Sequence, residues 1–293
     1  MSGTTHDCEP TLTDSQVLAF CQNGYMMLEA VVPDEINQRT LAYADQDPSL
    51  QPSELLSQPW FVEHVIRNPV ATGAIRSLLG RDFQIPVKMA NHRKAEIDDI
   101  PGKWHVDGNY KFNHELPYLQ VFYYPQDTPP QMGPTEVVPG SHFWRNQTRA
   151  MWHLNHILGA MKTSAPAGTI FLTVYQIWHR AGMLRRDGVR NLLKYFYWRT
   201  APPQRDWIVE PQFDFATADY DGYQTTNGKT LRTKNGEQFR ACRDVAEMFY
   251  WLCGHHDRFQ VLGGQSWPLT DDRTGRPYGF PGPASAAAGA DST

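Results

Sequence analysis

The chain reads as mainly β, an antiparallel sandwich or barrel with helices around it. Three observations predict this. Residues 116–124, 135–138, 168–174 and 191–198 are short runs rich in β-branched and aromatic side chains. Breakers such as Pro129-Pro130, Gly133-Pro134 and Pro139-Gly140 punctuate this region instead of the long helical patterns a parallel βαβ sheet would require. The first 80 residues, by contrast, repeat apolar positions at helical spacing.

In order, Thr13 or Asp14 caps a helix carrying Val17, Leu18, Phe20 and Cys21, and Gly24 stops it. Tyr25 to Val32 reads as a short strand closed by Pro33. A second helix is expected from Asp34 to about Ala44, with further helical segments at Trp60–Asn68 and Ala71–Leu79. The strand runs follow, and residues 240–253 return to a helical pattern.

The chain has 293 residues, 41% hydrophobic and 20% charged, enough to bury a core. No boundary or repeat divides it, so residues 1–270 are expected as a single domain and the small, polar residues 271–293 as a flexible tail. A net charge of −4, without any block of like charge, removes the electrostatic case for nucleic acid or an anionic membrane. Cys8, Cys21, Cys242 and Cys253 form no CxxC pair, which argues against a zinc ribbon or disulfide framework. The first 30 residues lack a signal-peptide core and no apolar run is long enough to span a bilayer, so a cytoplasmic location is expected.

Chemistry concentrates first at His105-Val106-Asp107. On a strand, residues i and i+2 share a face, so an imidazole and a carboxylate stand side by side. With a distant His they form the triad that holds non-haem Fe(II) with open coordination positions. Alone the motif is weak, since with 11 His roughly one such triplet is expected by chance. His255-His256-Asp257 is a second HxD triplet, with no later His to complete a site, and reads as a solvated loop. Downstream of the first lie Gly133 to His142 (GPTEVVPGSH), then His179 and, 11 residues later, Arg190. His179 supplies a third neutral ligand, and Arg190 a planar guanidinium fork for a carboxylate bound beside the metal, as a 2-oxoacid would place it.

These motifs, with Leu12, Phe20, Gly24-Tyr25 and Leu28 before them, resemble the phytanoyl-CoA dioxygenase family of Fe(II)/2-oxoglutarate oxygenases over residues 11–200. The resemblance implies a double-stranded β-helix, a jelly roll of the cupin kind, with helices packed outside. It implies iron on His105, Asp107 and His179, the distal carboxylate of 2-oxoglutarate on Arg190, a further hydrogen bond to it from Thr135, and O2 as co-reactant. The expected reaction hydroxylates an unactivated C–H of a small-molecule metabolite and releases succinate and CO2; the same iron chemistry also gives desaturation, cyclisation or epimerisation. Halogenating relatives carry a small residue where Asp107 stands, so oxygenation is favoured. The family often has a small residue after the distal His and an Asn a few positions later; here these are Arg180 and Leu184, and no CoA thioester is carried over as substrate.

Two other classes remain open at this level. One is a His-His-Asp zinc hydrolase, which leaves Arg190 without a role. The other is a non-enzymatic binding module on the same barrel. Bland readings also apply: His142 to a turn or packing role, His153 and His156 to solvent, and most of the aromatics near the motifs to the core. Arg180 and Arg185 read first as solvated charges; the alternative is that one of them recognises an anionic group of the substrate.

Overall fold

Thr13 opens the first helix as its sequence predicts. In the computed structural model, which describes residues 4–98, 100–108, 113–144, 152–213 and 235–254, helix α1 spans Asp14–Asn23. Thr13 and Gln16 cap one another reciprocally, and Gly24 closes the helix at φ 75°, a left-handed conformation that glycine adopts without strain. Helices α2 (Asp34–Gln46) and α3 (Pro69–Leu79) follow, separated by short turns of helix between Ser53 and Ile66. Asn68 caps α3, its side chain accepting from the Val70 and Ala71 N–H groups. Helix α4, Asn235–Leu252, returns near the end. No helix among the described residues is long and apolar enough to cross a membrane. The second HxD triplet at 255–257, the domain limit at 270 and the tail at 271–293 lie outside the described residues.

All paired strands are antiparallel, and they form two sheets. The larger contains β1 (Thr5–His6), β2 (Tyr25–Leu28), β3 (Phe83–Gln84), β4 (Met89–Asn91), β5 (Tyr118–Tyr124), β8 (Thr169–Thr173) and β10 (Leu193–Trp198). Its order is β1-β3-β10-β5-β8-β2, with β4 also pairing to β10. The smaller is β7 (Met161–Lys162), β6 (Thr135–Val137) and β9 (His179–Ala181), in that order. The two sheets face one another in a jelly roll, with the helices outside. Strands β2, β5, β6, β8 and β10 were readable in the sequence. The others are two or three residues long, too short to show a period of two.

β5 and β10 are the central pair, and both faces of β5 are used. Leu119, Val121 and Tyr123 join Leu193, Tyr195 and Tyr197 in the large core beneath the helices. Phe122 and Tyr124 point the other way and pack with Phe171, Val137, Ile177 and Leu192 between the sheets. Burying each such large apolar side chain is worth about 1.5–3 kcal/mol, so the wall that carries the site is fixed from both sides. Gln120 shares the inward face by alternation.

Candidate metal and cosubstrate site

The GPTEVVPGSH segment supports one end of the inward wall. Gly140 turns it at φ 73° and donates its N–H to Asn23 at the end of α1. Val138 N–H bonds the Trp178 carbonyl, and Ser141 Oγ accepts from the Trp178 N–H at 2.9 Å. Val137 pairs with His179 across β6 and β9. The segment therefore fixes the backbone on which His179 stands. His142 packs in this corner, its Nε2–H donating to the Cys21 carbonyl at 3.0 Å. Burial pushes its pKa down to about 3, and its role is packing, as expected.

His105 is joined to His179 by an isolated antiparallel bridge. The expected strand across His105 and Asp107 does not form: only His105 makes a bridge, and the chain bends at Asp107-Gly108. The bend follows from Gly108, at φ 69°, where a Cβ would lie 2.7 Å from the Tyr175 hydroxyl. The carboxylate nevertheless meets both imidazoles. His105 Nε2 lies 3.8 Å from Asp107 Oδ1, and His179 Nε2 lies 3.4 Å from Asp107 Oδ2. One ligating atom from each of the three falls within 4.8 Å of the others.

Both imidazoles are held ready to ligate. His105 Nδ1 faces the Lys103 carbonyl at 2.7 Å and His179 Nδ1 the Ile177 carbonyl at 3.0 Å. A carbonyl only accepts, so each Nδ1 carries the proton and each Nε2 turns its lone pair toward Asp107. Burial lowers the His179 pKa to about 4, against the pull of Asp107, so the ring is neutral at ordinary pH. Burial alone would raise the Asp107 pKa; the charge His179 gains in the acid range where Asp107 titrates, the charge of Lys194 and the Lys194 hydrogen bond hold it below the usual value. Lys194 Nζ contacts Asp107 Oδ2 directly.

Arg190 lies farther along the same wall, bridged to Lys94. Its guanidinium is 1% exposed and donates to two carbonyls, of Gly133 and, at 2.9 Å, of His92. It has no carboxylate partner among the described residues, and its Nε is buried with no hydrogen-bond partner. Nearby, the Tyr124 hydroxyl meets Thr163 Oγ1 at 2.5 Å, is hydrogen-bonded also to Thr135, and feels the Arg190 charge. Arg190 and Thr135 are thus brought to one end of the cavity through Tyr124. His92 connects that end to the metal cluster. Desolvation lowers its pKa to about 4, helped by the charges of Lys194 and Arg190, while Asp107 opposes.

Arg185 is exposed, as the solvated reading expects, whereas Arg180 is neither solvated nor at the cavity. Arg180 follows His179 on β9 and points to the opposite face, so it does not reach the cavity. It is 5% exposed, bonded to Glu136 at 2.6 and 2.7 Å, bonded to the Asn155 carbonyl and stacked on Trp104. Leu184 is fully buried in the core. His153 and His156 are exposed, as expected.

Several lining residues escaped the sequence reading. Lys194 is one, although it stands four residues after Arg190, in phase on an otherwise apolar strand. Gln120 is another: it is fully buried, and neither end of its carboxamide has a hydrogen-bond partner. Tyr118, Tyr175 and Phe196 form a half-buried aromatic cluster, with centroids 5.1, 5.6 and 6.2 Å apart. Both phenol pKa values are raised, first by burial, with Asp107 adding to each and Tyr175 to that of Tyr118; the Tyr175 hydroxyl lies against Gly108, next to Asp107. Trp104, Trp178, Tyr195 and Tyr197, near the motifs in sequence, are core instead. Tyr110 lies outside the described residues.

A second grouping is structural. His114 lies 3.1 Å from Asp244 and 2.8 Å from Glu247, so both ring nitrogens face α4 carboxylates. Burial disfavours the charged ring, but the two acids outweigh it and raise the pKa.

No family model matches the chain, and no curated protein matches it by sequence. Solved structures of HygX from Streptomyces hygroscopicus share its fold. The apo form matches with a TM-score of 0.53 at 17% identity, covering 65% of this chain and 88% of HygX. The iron-bound form matches with 0.53 at 16%, covering 68% and 90%. A form with nickel, 2-oxoglutarate and hygromycin B matches with 0.51 at 17%, covering 67% and 90%.

Proposed function

We propose that this protein is an Fe(II)/2-oxoglutarate-dependent dioxygenase that hydroxylates an unactivated C–H of a small-molecule metabolite in the cytoplasm, releasing succinate and CO2. The observation that carries the reading is the conjunction of His105, Asp107 and His179 with a buried Arg190 whose Nε has no partner. A buried guanidinium with Nε unspent and no carboxylate bonded to it among the described residues is costly unless an anion completes it. A zinc hydrolase gives that guanidinium nothing to do.

The residues fit the cofactor pair. His105, Asp107 and His179 would hold the iron on one face, which leaves positions for O2 and the cosubstrate. Arg190 would pair with the distal carboxylate of 2-oxoglutarate, with Tyr124 and Thr135 supplying hydroxyls at that end. When bound, the iron supplies the oxidising chemistry, in which decarboxylation of 2-oxoglutarate is coupled to attack on the substrate C–H. The chain fixes both imidazole tautomers, keeps His179 neutral and closes the sheet interior to water with Phe122, Phe171 and Leu192. The motifs at 105–107, 133–142 and 179–190 resemble those of the phytanoyl-CoA dioxygenase-like enzymes, which supports the same reading. The HygX complexes with iron and with 2-oxoglutarate support the same cofactor pair on this fold.

The primary substrate would enter from the opposite end to Arg190, against Tyr118, Tyr175 and Phe196. Three half-exposed rings beside the metal cluster suit a ring-bearing molecule, and two phenol hydroxyls suit one that carries oxygen functions.

The test is anaerobic addition of Fe(II) and 2-oxoglutarate to the purified protein. A weak visible charge-transfer band that needs both, and is lost in His179→Ala and in Arg190→Ala, is the expected outcome. A protein that binds neither, or a hydrolytic activity that survives in zinc without O2, overturns the proposal.

A further inference from the structure

We propose that Lys194 is a built-in counter-cation of the metal site, a positioning residue that holds Asp107 when the metal is absent and competes with the metal for it. This deepens the metal reading and rests on it.

The placement of Lys194 is set by β10. Its register opposite Phe122 turns the side chain to the inward face, between Arg190 and Phe196 in the same phase. The side chain is 11% exposed and that of Asp107 18%, so the pair is largely withdrawn from water. Nζ lies on Oδ2 of Asp107, the oxygen that is also 3.4 Å from His179 Nε2. Its other close neighbours are ring faces, Phe122 at 5.8 Å and Phe196 at 5.7 Å. Asp107 is therefore the only carboxylate it pairs with among the described residues.

A metal ligand of this kind is an ionised carboxylate, and a carboxylate largely withdrawn from water needs a cation beside it. Lys194 supplies one in the metal-free protein. A divalent ion brought to the same carboxylate must share it with the ammonium, and the two cations repel at short range in a cavity of low dielectric. Lys194 thereby weakens metal binding while stabilising the empty site. With metal bound, the divalent ion, Lys194 and Arg190 together carry four positive charges against the single charge of Asp107. A dicarboxylate brings two negative charges into that cavity. Metal and cosubstrate should therefore strengthen one another's binding, and by linkage do so equally in both directions.

The experiment is calorimetric titration of metal-free full-length protein with Mn2+, without cosubstrate, in wild type and Lys194→Met. The expected result is a Kd at least about tenfold lower in Lys194→Met, a difference in the range of one screened charge contact. Lys194→Arg keeps the charge and is expected near wild type. Repeating the titration with 2-oxoglutarate present should strengthen Mn2+ binding more in wild type than in Lys194→Met. A purely structural lysine gives the opposite sign, because a disturbed site binds metal more weakly; an unchanged or higher Kd in Lys194→Met overturns the proposal. If Lys194→Met does not give a folded circular-dichroism spectrum, Lys194→Gln is read in its place against the same outcomes. His179→Ala separates the two levels. Undiminished Mn2+ binding in His179→Ala sinks the metal reading itself. Lost binding there, with no gain in Lys194→Met, sinks only the role of Lys194.

Discussion

His105 and His179 exchange two backbone hydrogen bonds of 3.0 Å, and their rings lie 4.4 Å apart. The 73 residues between them are closed by one bridge, so the two imidazoles are placed by main-chain bonds and not by side-chain packing alone. Their surroundings differ: the His105 side chain is 42% exposed and that of His179 5%. Alanine at either position should weaken Mn2+ binding by more than the ~10–100-fold that loss of a supporting partner costs. Only His179→Ala should also lower the melting temperature appreciably, since it opens a cavity. Calorimetry and thermal melts on both variants check the asymmetry; equal melting shifts would contradict it.

Arg190 should tolerate no substitution, lysine included. The guanidinium spans the Gly133 and His92 carbonyls and still has Nε unspent, a planar fork that the single point of an ammonium does not reproduce. Arg190→Lys should weaken 2-oxoglutarate binding to the Mn2+-loaded protein by about 2–5 kcal/mol, the range for truncating one side of a buried charge pair. Mn2+ affinity measured alone should change far less. Unaltered 2-oxoglutarate affinity in a folded Arg190→Lys protein would remove the arginine from the site.

Stability should fall in acid, and His142 is one cause. Its pKa is about 3 in the folded chain, against 6.5 for a histidine in water. Between those values the unfolded chain binds the proton and the folded one does not. The contribution is therefore complete above pH 6.5 and is lost as the pH falls toward 3, by up to about 1.4 kcal/mol per pH unit for one such group. His142→Gln should flatten the dependence of urea-unfolding free energy on pH between 6.5 and 4.5, whatever it does to the absolute value. A slope identical to wild type refutes the assignment.

Arg180 should matter for stability and not for substrate. It is buried, paired with Glu136 and stacked on Trp104 on the far face of β9 from His179. Arg180→Ala strands the Glu136 carboxylate and should cost about 3–5 kcal/mol of folding free energy. In protein that remains folded, Mn2+ and 2-oxoglutarate affinities should stay within a few-fold of wild type. A selective loss of ligand binding at unchanged stability would return Arg180 to the site.

Much of this was legible in the residues themselves. A cap at Thr13 or Asp14 and a stop at Gly24 declare α1 because capping is local chemistry, and β5, β8 and β10 are long enough to show their composition. His105, Asp107, His179 and Arg190 were recognisable as a set because their residue types are scarce and their order along the chain is specific. The short strands β1, β3, β4, β7 and β9 were not legible, since two or three residues carry no periodicity. The bend at Asp107-Gly108 was missed because the strand argument treated His105 and Asp107 as a regular pair, whereas Gly108 lets the chain turn there.

The sequence by itself singled out His105, Asp107, His179 and Arg190 as candidates, located the helical segments to within a few residues, and marked the β region as antiparallel. Only the tertiary structure decided which face of each strand looks inward. Alternation fixes that Gln120 and Phe122 share one face and Leu119 and Val121 the other; the helices cover the second and leave the first to the site. The same choice turns Lys194 onto Asp107 and sends Arg180 to Glu136. A lysine and an arginine on strands look alike in a sequence. Their roles separate only when the partner sheet and helices fix which charge lies within reach, because a Coulomb contact depends on distances between residues far apart in the chain.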